Sequence, residues 1–206
     1  VFSENAGIRF FRDLFLLREK NDETIFQNLL ASLDENSDYF AKDELKNLYD
    51  YLENHCSRHA MGASDVEKRA VFHRKLFDLY RQKQHLGIFL ENGRLSEQDY
   101  KNLVTVGCRA GEFAWVKKML NENKKVLSPA IREAAFSYNM AYLLHAQGDY
   151  KSAWEQLKST EKVAENLFYE LDYRALTLRI CYELSGDYLY FQHFIAAKDA
   201  CLKYLD

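Results

Sequence analysis

His55, Cys56 and His59 stand in the order H-C-x-x-H. On a helix, residues four apart share a face, so the two imidazoles could hold a metal ion. No third or fourth ligand is identifiable. The competing reading is a helix surface with the histidines in water and the cysteine turned to the core. His73, His85 and His193 stand alone on helical stretches. The acid pairs Asp43–Glu44 and Glu161–Glu165 lie on amphipathic stretches where solvated charge is expected. A catalytic carboxylate pair needs a pocket and a perturbed pKa as well. The chain has no G-x-S-x-G, H-E-x-x-H, P-loop or dinucleotide fingerprint. We therefore expect no catalysis, no metal and no cofactor.

The four cysteines, Cys56, Cys108, Cys181 and Cys201, form no C-x-x-C pair. Cys181 and Cys201 fall on the two helices of one hairpin, at heights differing by roughly 10 Å. That exceeds disulfide reach. Dispersed cysteines of this kind fit a reducing compartment, and the expected location is cytoplasmic. Lys117, Lys118, Lys124 and Lys125 cluster at a helix end, where cations complement the helix dipole. The formal net charge is −3 and there is no basic stripe, so a nucleic-acid partner is not expected. No apolar run is long enough to span a bilayer, and no secretory leader is visible. The chain opens on Val1 rather than Met, so we expect it to be part of a longer polypeptide; a removed leader stays open.

The elements that must position these residues are helices. One proline, Pro129, and eight glycines leave little to break them. Three corners share one punctuation: Gly111-Glu112-Phe113, Gly148-Asp149-Tyr150 and Gly186-Asp187-Tyr188. They recur every 37 to 38 residues, a spacing that marks stacked repeats. Each glycine is expected to end one helix in the left-handed conformation, and the acid after it to cap the next. Helical periodicity flanks every corner. Ser96 with Asp99, Ser64 with Glu67, and Ser128 followed by Pro129 read as helix starts. Upstream, residues 43–62 and 65–87 form a long hairpin, and residues 6–18 and 22–33 another helix pair. Asn92-Gly93 marks a turn in the connector 87–95. Ten helices in five hairpins result. The divisions are 1–40, an N-terminal hairpin; 41–95, a long hairpin plus connector; and 96–206, three repeat-like hairpins.

The central unit, Tyr138-Asn139-Met140-Ala141-Tyr142-Leu143-Leu144 before Gly148 and Ala153 and Leu157 after it, resembles the tetratricopeptide repeat (TPR) motif. That motif packs its two helices through small residues, here Ala141 and Ala153. The last unit departs from it, with Arg179 and Phe191 at the corresponding places, so its helices are expected to cross further apart. The stretch 86–188 is similar to a set of uncharacterised bacterial TPR-like proteins. The carrying residues are Leu90-Glu91-Asn92-Gly93, Leu95-Ser96, Lys101-Asn102-Leu103-Val104-Thr105, Gly111-Glu112-Phe113-Ala114-Trp115-Val116 and Gly148-Asp149-Tyr150.

The resemblance implies an all-α fold, a right-handed superhelix (alpha-alpha solenoid) of TPR-like helical hairpins. It implies a concave face lined by the first helix of each hairpin. Carried over by offset from the glycines, that face presents Lys101, Asn102, Thr105, Cys108 and Arg109, then Tyr138, Asn139, Tyr142 and His145, then Tyr173, Leu176, Thr177 and Ile180. Mixed Tyr, Asn, Lys and Arg could hold an extended or helical peptide. Some TPR proteins clamp a peptide's terminal carboxylate with five Lys, Asn and Arg residues. Lys101 and Asn139 fit that pattern, and Thr105, Tyr173 and Thr177 replace the other three. The expected function is a scaffold for protein–protein interaction that binds a peptide or protein segment. The alternatives are a structural spacer or self-association arm and, more remotely, a helical enzyme or an RNA-binding helical repeat.

Overall fold

The scarcity of proline and glycine is realised as helix. A computed structural model describes residues 6–20, 22–158 and 167–205, and among them the chain is all-α. The helices are α1 (Ala6–Lys20), α2 (Glu23–Glu35), α3 (Lys42–Gly62), α4 (Val66–His85), α5 (Glu97–Arg109), α6 (Phe113–Asn123), α7 (Arg132–Ala146), α8 (Tyr150–Lys158), α9 (Leu167–Glu183) and α10 (Tyr188–Leu205). They pack as five hairpins, each odd-numbered helix against the next. The chain divides into two compact units, Val1–Phe89 and Leu90–Asp206. The second opens with a minimal β-hairpin in which β1 (Leu90–Glu91) pairs antiparallel with β2 (Arg94–Leu95). Asn92 and Gly93 both have positive φ, at 52° and 75°, as a tight two-residue β-turn requires.

Helix starts follow local chemistry, with two displacements. Ser96 Oγ accepts from Asp99 N–H at 3.0 Å and so caps α5 as expected. Asp22 Oδ1 accepts from Thr24 N–H at 2.7 Å and caps α2. At α4 the cap is Asp65, which accepts from Glu67 N–H at 2.9 Å, and not Ser64. A carboxylate one residue closer to the helix is the stronger acceptor. Ser128 does not cap α7 either. Its carbonyl accepts from the N–H groups of Ile131 and Arg132, closing a turn, and α7 starts only at Arg132. Glu44 accepts from Ala41 N–H at 3.2 Å, so one half of the Asp43–Glu44 pair serves a helix start. The Glu161–Glu165 pair lies outside the described residues.

The corners differ among themselves. Gly111 and Gly148 have φ of 76° and 81°. At the first, Glu112 N–H bonds Gly107 O and Gly111 N–H bonds Cys108 O. At the second, Asp149 N–H bonds Leu144 O and Gly148 N–H bonds His145 O. This paired pattern closes a helix through a left-handed glycine. The expected acid cap forms at Asp149, which accepts from Ser152 N–H at 3.2 Å, but not at Glu112, whose side chain makes no such bond. The third corner is built otherwise. Gly186 is not left-handed, and α9 ends three residues before it, where α5 and α7 end two before theirs. Asp187 still caps α10, accepting from Leu189 N–H at 3.0 Å.

In the second unit Tyr100, Leu103, Val104, Val116 and Leu120 are buried, and the Tyr100 hydroxyl donates to Leu120 O at 2.9 Å. They are followed by a cluster of Tyr138, Ala141, Ala153, Trp154, Leu157, Leu176, Ile180 and Cys181. Ala141 and Ala153 are fully buried in the hairpin α7–α8. In the last hairpin neither Arg179 nor Phe191 is wedged in the interior, since both are exposed. That removes the reason to expect a wide crossing there. No helix of the described residues is long and apolar enough to cross a membrane.

Candidate functional site

A recess of the second unit lies among α5, α7 and α9. Lys101, Thr105 and Arg109 follow one another at four-residue steps on α5, so they form one stripe. Tyr138 and Tyr142 do the same on α7, and α9 adds Asp172, Ala175, Leu176 and Arg179. Together they enclose about 270 Å³. Tyr138 and Leu176 belong to the core, so the floor is rigid and apolar, while Tyr142 packs half-buried beside it. The rim is charged.

One end is closed by an ion pair between Lys101 and Asp172, which ties the first hairpin to the third past the second. At the other end stand Arg109 and Arg179, both exposed. Among the described residues neither has an ion-pair partner. Three cations against one carboxylate leave the recess positive by two. Arg179 and His145 share this end. Burial holds the His145 imidazole below its ordinary pKa, the Arg179 charge adds to that, and Glu183 opposes it.

Of the residues read from sequence, Lys101, Thr105, Arg109, Tyr138, Tyr142 and Leu176 line the recess. Asn102, Asn139, His145 and Tyr173 do not. Asn139 is 1% exposed and its Nδ2 donates to Ala135 O at 2.8 Å, so it is a core residue. Asn102 accepts from Gln98 Nε2 at 2.8 Å along its own helix. The Tyr173 hydroxyl reaches Leu157 O at 3.4 Å, and the His145 ring lies 5.5 Å from that of Tyr150. The two-residue match to a carboxylate clamp therefore does not assemble, because Lys101 is paired within the chain and Asn139 is buried.

Arg179 and Asp172 were missed for different reasons. Asp172 meets Lys101 only in three dimensions. An offset from Gly186 reaches Ile180 instead of Arg179, because that glycine stands one residue further from its helix than Gly111 and Gly148 do from theirs. Counted from helix ends, Thr105 and Tyr142 lie four before the last residue of α5 and α7, and Arg179 lies four before the last residue of α9. Lys101, Tyr138 and Ala175 lie eight before theirs.

In the H-C-x-x-H cluster His55 and Cys56 are buried and His59 is half-buried. His55 is buried, with its ring 5.9 Å from Phe26 and 4.5 Å from His59, and His59 stacks on Phe72 at 5.0 Å. His55, packed against Phe26 and Phe72, is therefore a core residue and not a wet surface one. Burial, with the charges of His59, Arg58 and Lys75, pushes His55 down to about 4. No group of three metal-ligating side chains occurs among the described residues. Burial pushes the thiols of Cys56 and Cys108 up to about 12, so neither is a nucleophile at neutral pH. In the lysine cluster Lys118 pairs with Glu122 at 3.8 Å. Lys124 pairs with Glu133 at 2.8 Å and sits 4.3 Å over the Phe136 ring. Comparison with protein-family models, with curated proteins and with solved structures finds no match for this chain.

Proposed function

We propose that the chain is a TPR-like interaction scaffold, without catalysis, whose hairpins continue as a right-handed superhelix and whose α5–α7–α9 face binds a peptide or protein segment. The observation that carries this reading is the recess with two arginines, unpaired among the described residues, over a tyrosine-lined floor. Exposed guanidinium groups select carboxylates in bidentate geometry, and tyrosines add contact area with a hydroxyl at the rim. The preferred segment is therefore acidic, extended or helical. A cytoplasmic location goes with this reading.

Fluorescence anisotropy tests it, with acid-rich and base-rich peptides of equal length. The acid-rich peptide binds, binding falls with added salt, and Arg109→Glu with Arg179→Glu abolishes it. Equal affinity for both peptides, or no change in the variant, refutes the assignment. A second reading, self-association, draws on the exposed Tyr188, Leu189, Phe191 and Leu202 of α10. Sedimentation of Leu189→Ser with Phe191→Ser separates it, since only a self-associating arm changes mass.

A further inference from the structure

Helix α1 is apolar on two sides. Phe10 and Leu17 are fully buried, whereas Phe11 and Phe15 stand 54% and 60% exposed. A helix at the surface of a globular unit needs one apolar stripe, and a second marks a face that something covers. Beside it Tyr51 of α3 is 51% exposed, its ring 6.4 Å from Phe11 and nearly perpendicular. Phe11, Leu14, Phe15 and Tyr51 wall a recess of about 520 Å³ between α1 and α3. This recess lies wholly within the first unit and owes nothing to the α5–α7–α9 face.

Its two ends differ. Arg18 lies seven residues after Phe11, and Arg58 seven after Tyr51, and both line the same recess. Seven residues are two turns, so the cationic end lies about 10 Å from the aromatic end. Among the described residues neither arginine forms an ion pair. A purely apolar cover would bury two unpaired guanidinium groups, which is costly. The occupant must bring carboxylates to one end and apolar anchors to the other. A recess also argues against a bilayer, which takes protruding side chains rather than walls. The geometry points to the α1–α3 groove as a docking site for an amphipathic partner helix that carries aromatic or aliphatic anchors and, two turns along, acidic residues.

The test uses a fluorescein-labelled, alanine-rich helical peptide with Phe and Leu one turn apart and two glutamates about two turns beyond the Phe, roughly 11 Å along its axis. The control replaces the glutamates by lysines. Anisotropy is expected to show binding of the acidic peptide only, lost in Phe11→Ser with Phe15→Ser and weakened about tenfold or more in Arg18→Glu with Arg58→Glu. All four residues are exposed, and circular dichroism checks that the variants keep their helix. Equal binding of both peptides, or binding indifferent to these variants, overturns the proposal. So does a wild-type dimer dissolved by the Phe variants, which assigns the groove to a second copy. Co-sedimentation with phosphatidylserine vesicles that the same variants abolish would assign it to a membrane and overturn the proposal equally.

Discussion

Gly107 offers the sharpest test of how the hairpins pack. It lies in α5 and is buried where α6 crosses it. A methyl group built there would meet Val116 Cγ2 at 2.4 Å and the Trp115 ring at 3.2 and 3.3 Å. Val116 is fully buried and β-branched, so it has no easy rotamer in which to yield. Forcing an extra carbon into such a contact costs about 1–3 kcal/mol. Against this, alanine in a helix interior is favoured over glycine by roughly 0.5–1 kcal/mol. The overpacking term wins, and Gly107→Ala is expected to destabilise the second unit by about 1–2 kcal/mol.

Denaturant unfolding followed by tryptophan fluorescence measures this directly. Both tryptophans, Trp115 and Trp154, belong to the Leu90–Asp206 unit, so the signal reports on it alone. The midpoint should fall while the denaturant slope stays constant. Combining Gly107→Ala with Val116→Ala should show a favourable coupling of about 1 kcal/mol, because the smaller residue removes the clash. If Gly107→Ala instead raises stability by the helix-propensity amount, the close crossing of α5 and α6 is wrong.

Three further outcomes follow from the interior. His55 is held neutral in the fold, at about 4 against an ordinary 6.5. Both folded and unfolded chains are neutral above the ordinary value, so stability is flat there. It falls as pH drops from about 6.5 to about 4, by about 3 kcal/mol in all. A His55→Phe variant whose thermal unfolding keeps the same acid limb would refute this. Lys83, whose side chain is 4% exposed, pairs with Asp50 at 2.9 Å and Glu53 at 2.7 Å. Lys83→Met is expected to cost on the order of 3 kcal/mol in denaturant unfolding, because it removes the buried cation that pairs with Asp50 and Glu53, and adding Glu53→Gln should restore part of it. Asn139→Ala should cost about 1–2 kcal/mol for the lost bond to Ala135 O and leave peptide affinity at the α5–α7–α9 face unchanged; a selective loss of affinity would return Asn139 to the groove.

What could be read from the chain was local. Helix existence, the first two corners, the Ser96 cap and the α5 stripe depend on residues within a turn or two of one another. What could not be read depends on partners far away in sequence. His55 looked like a surface residue because Phe26 and Phe72 belong to other helices. Lys101 looked free because Asp172 comes from α9. Asn139 looked like a ligand-binding residue because its burial follows from packing, not from spacing. The Ser64 and Ser128 starts failed more narrowly, where a neighbouring carboxylate or a proline turn displaced the helix start by a few residues.

The third corner shows how one residue can hide a site, and it can be tested. The face of a helix presented to its neighbours is set by distance from the helix end, at 100° per residue, so an offset error of one moves a side chain by more than a quarter turn. Gly148 sits two residues past its helix and adopts φ of 81°, whereas Gly186 sits three past its helix and does not adopt positive φ. Alanine should therefore cost about 1–2 kcal/mol at Gly148 and almost nothing at Gly186. Deleting Ser185, whose hydroxyl only donates back to Tyr182 O, gives the third corner the spacing of the other two. Gly186 should then become left-handed, and Gly186→Ala in the deleted chain should cost what it costs at Gly148. If alanine remains harmless there, the spacing from helix end to glycine does not decide the corner. The assignment of Arg179 to the same level as Thr105 and Tyr142 would then lose its physical basis.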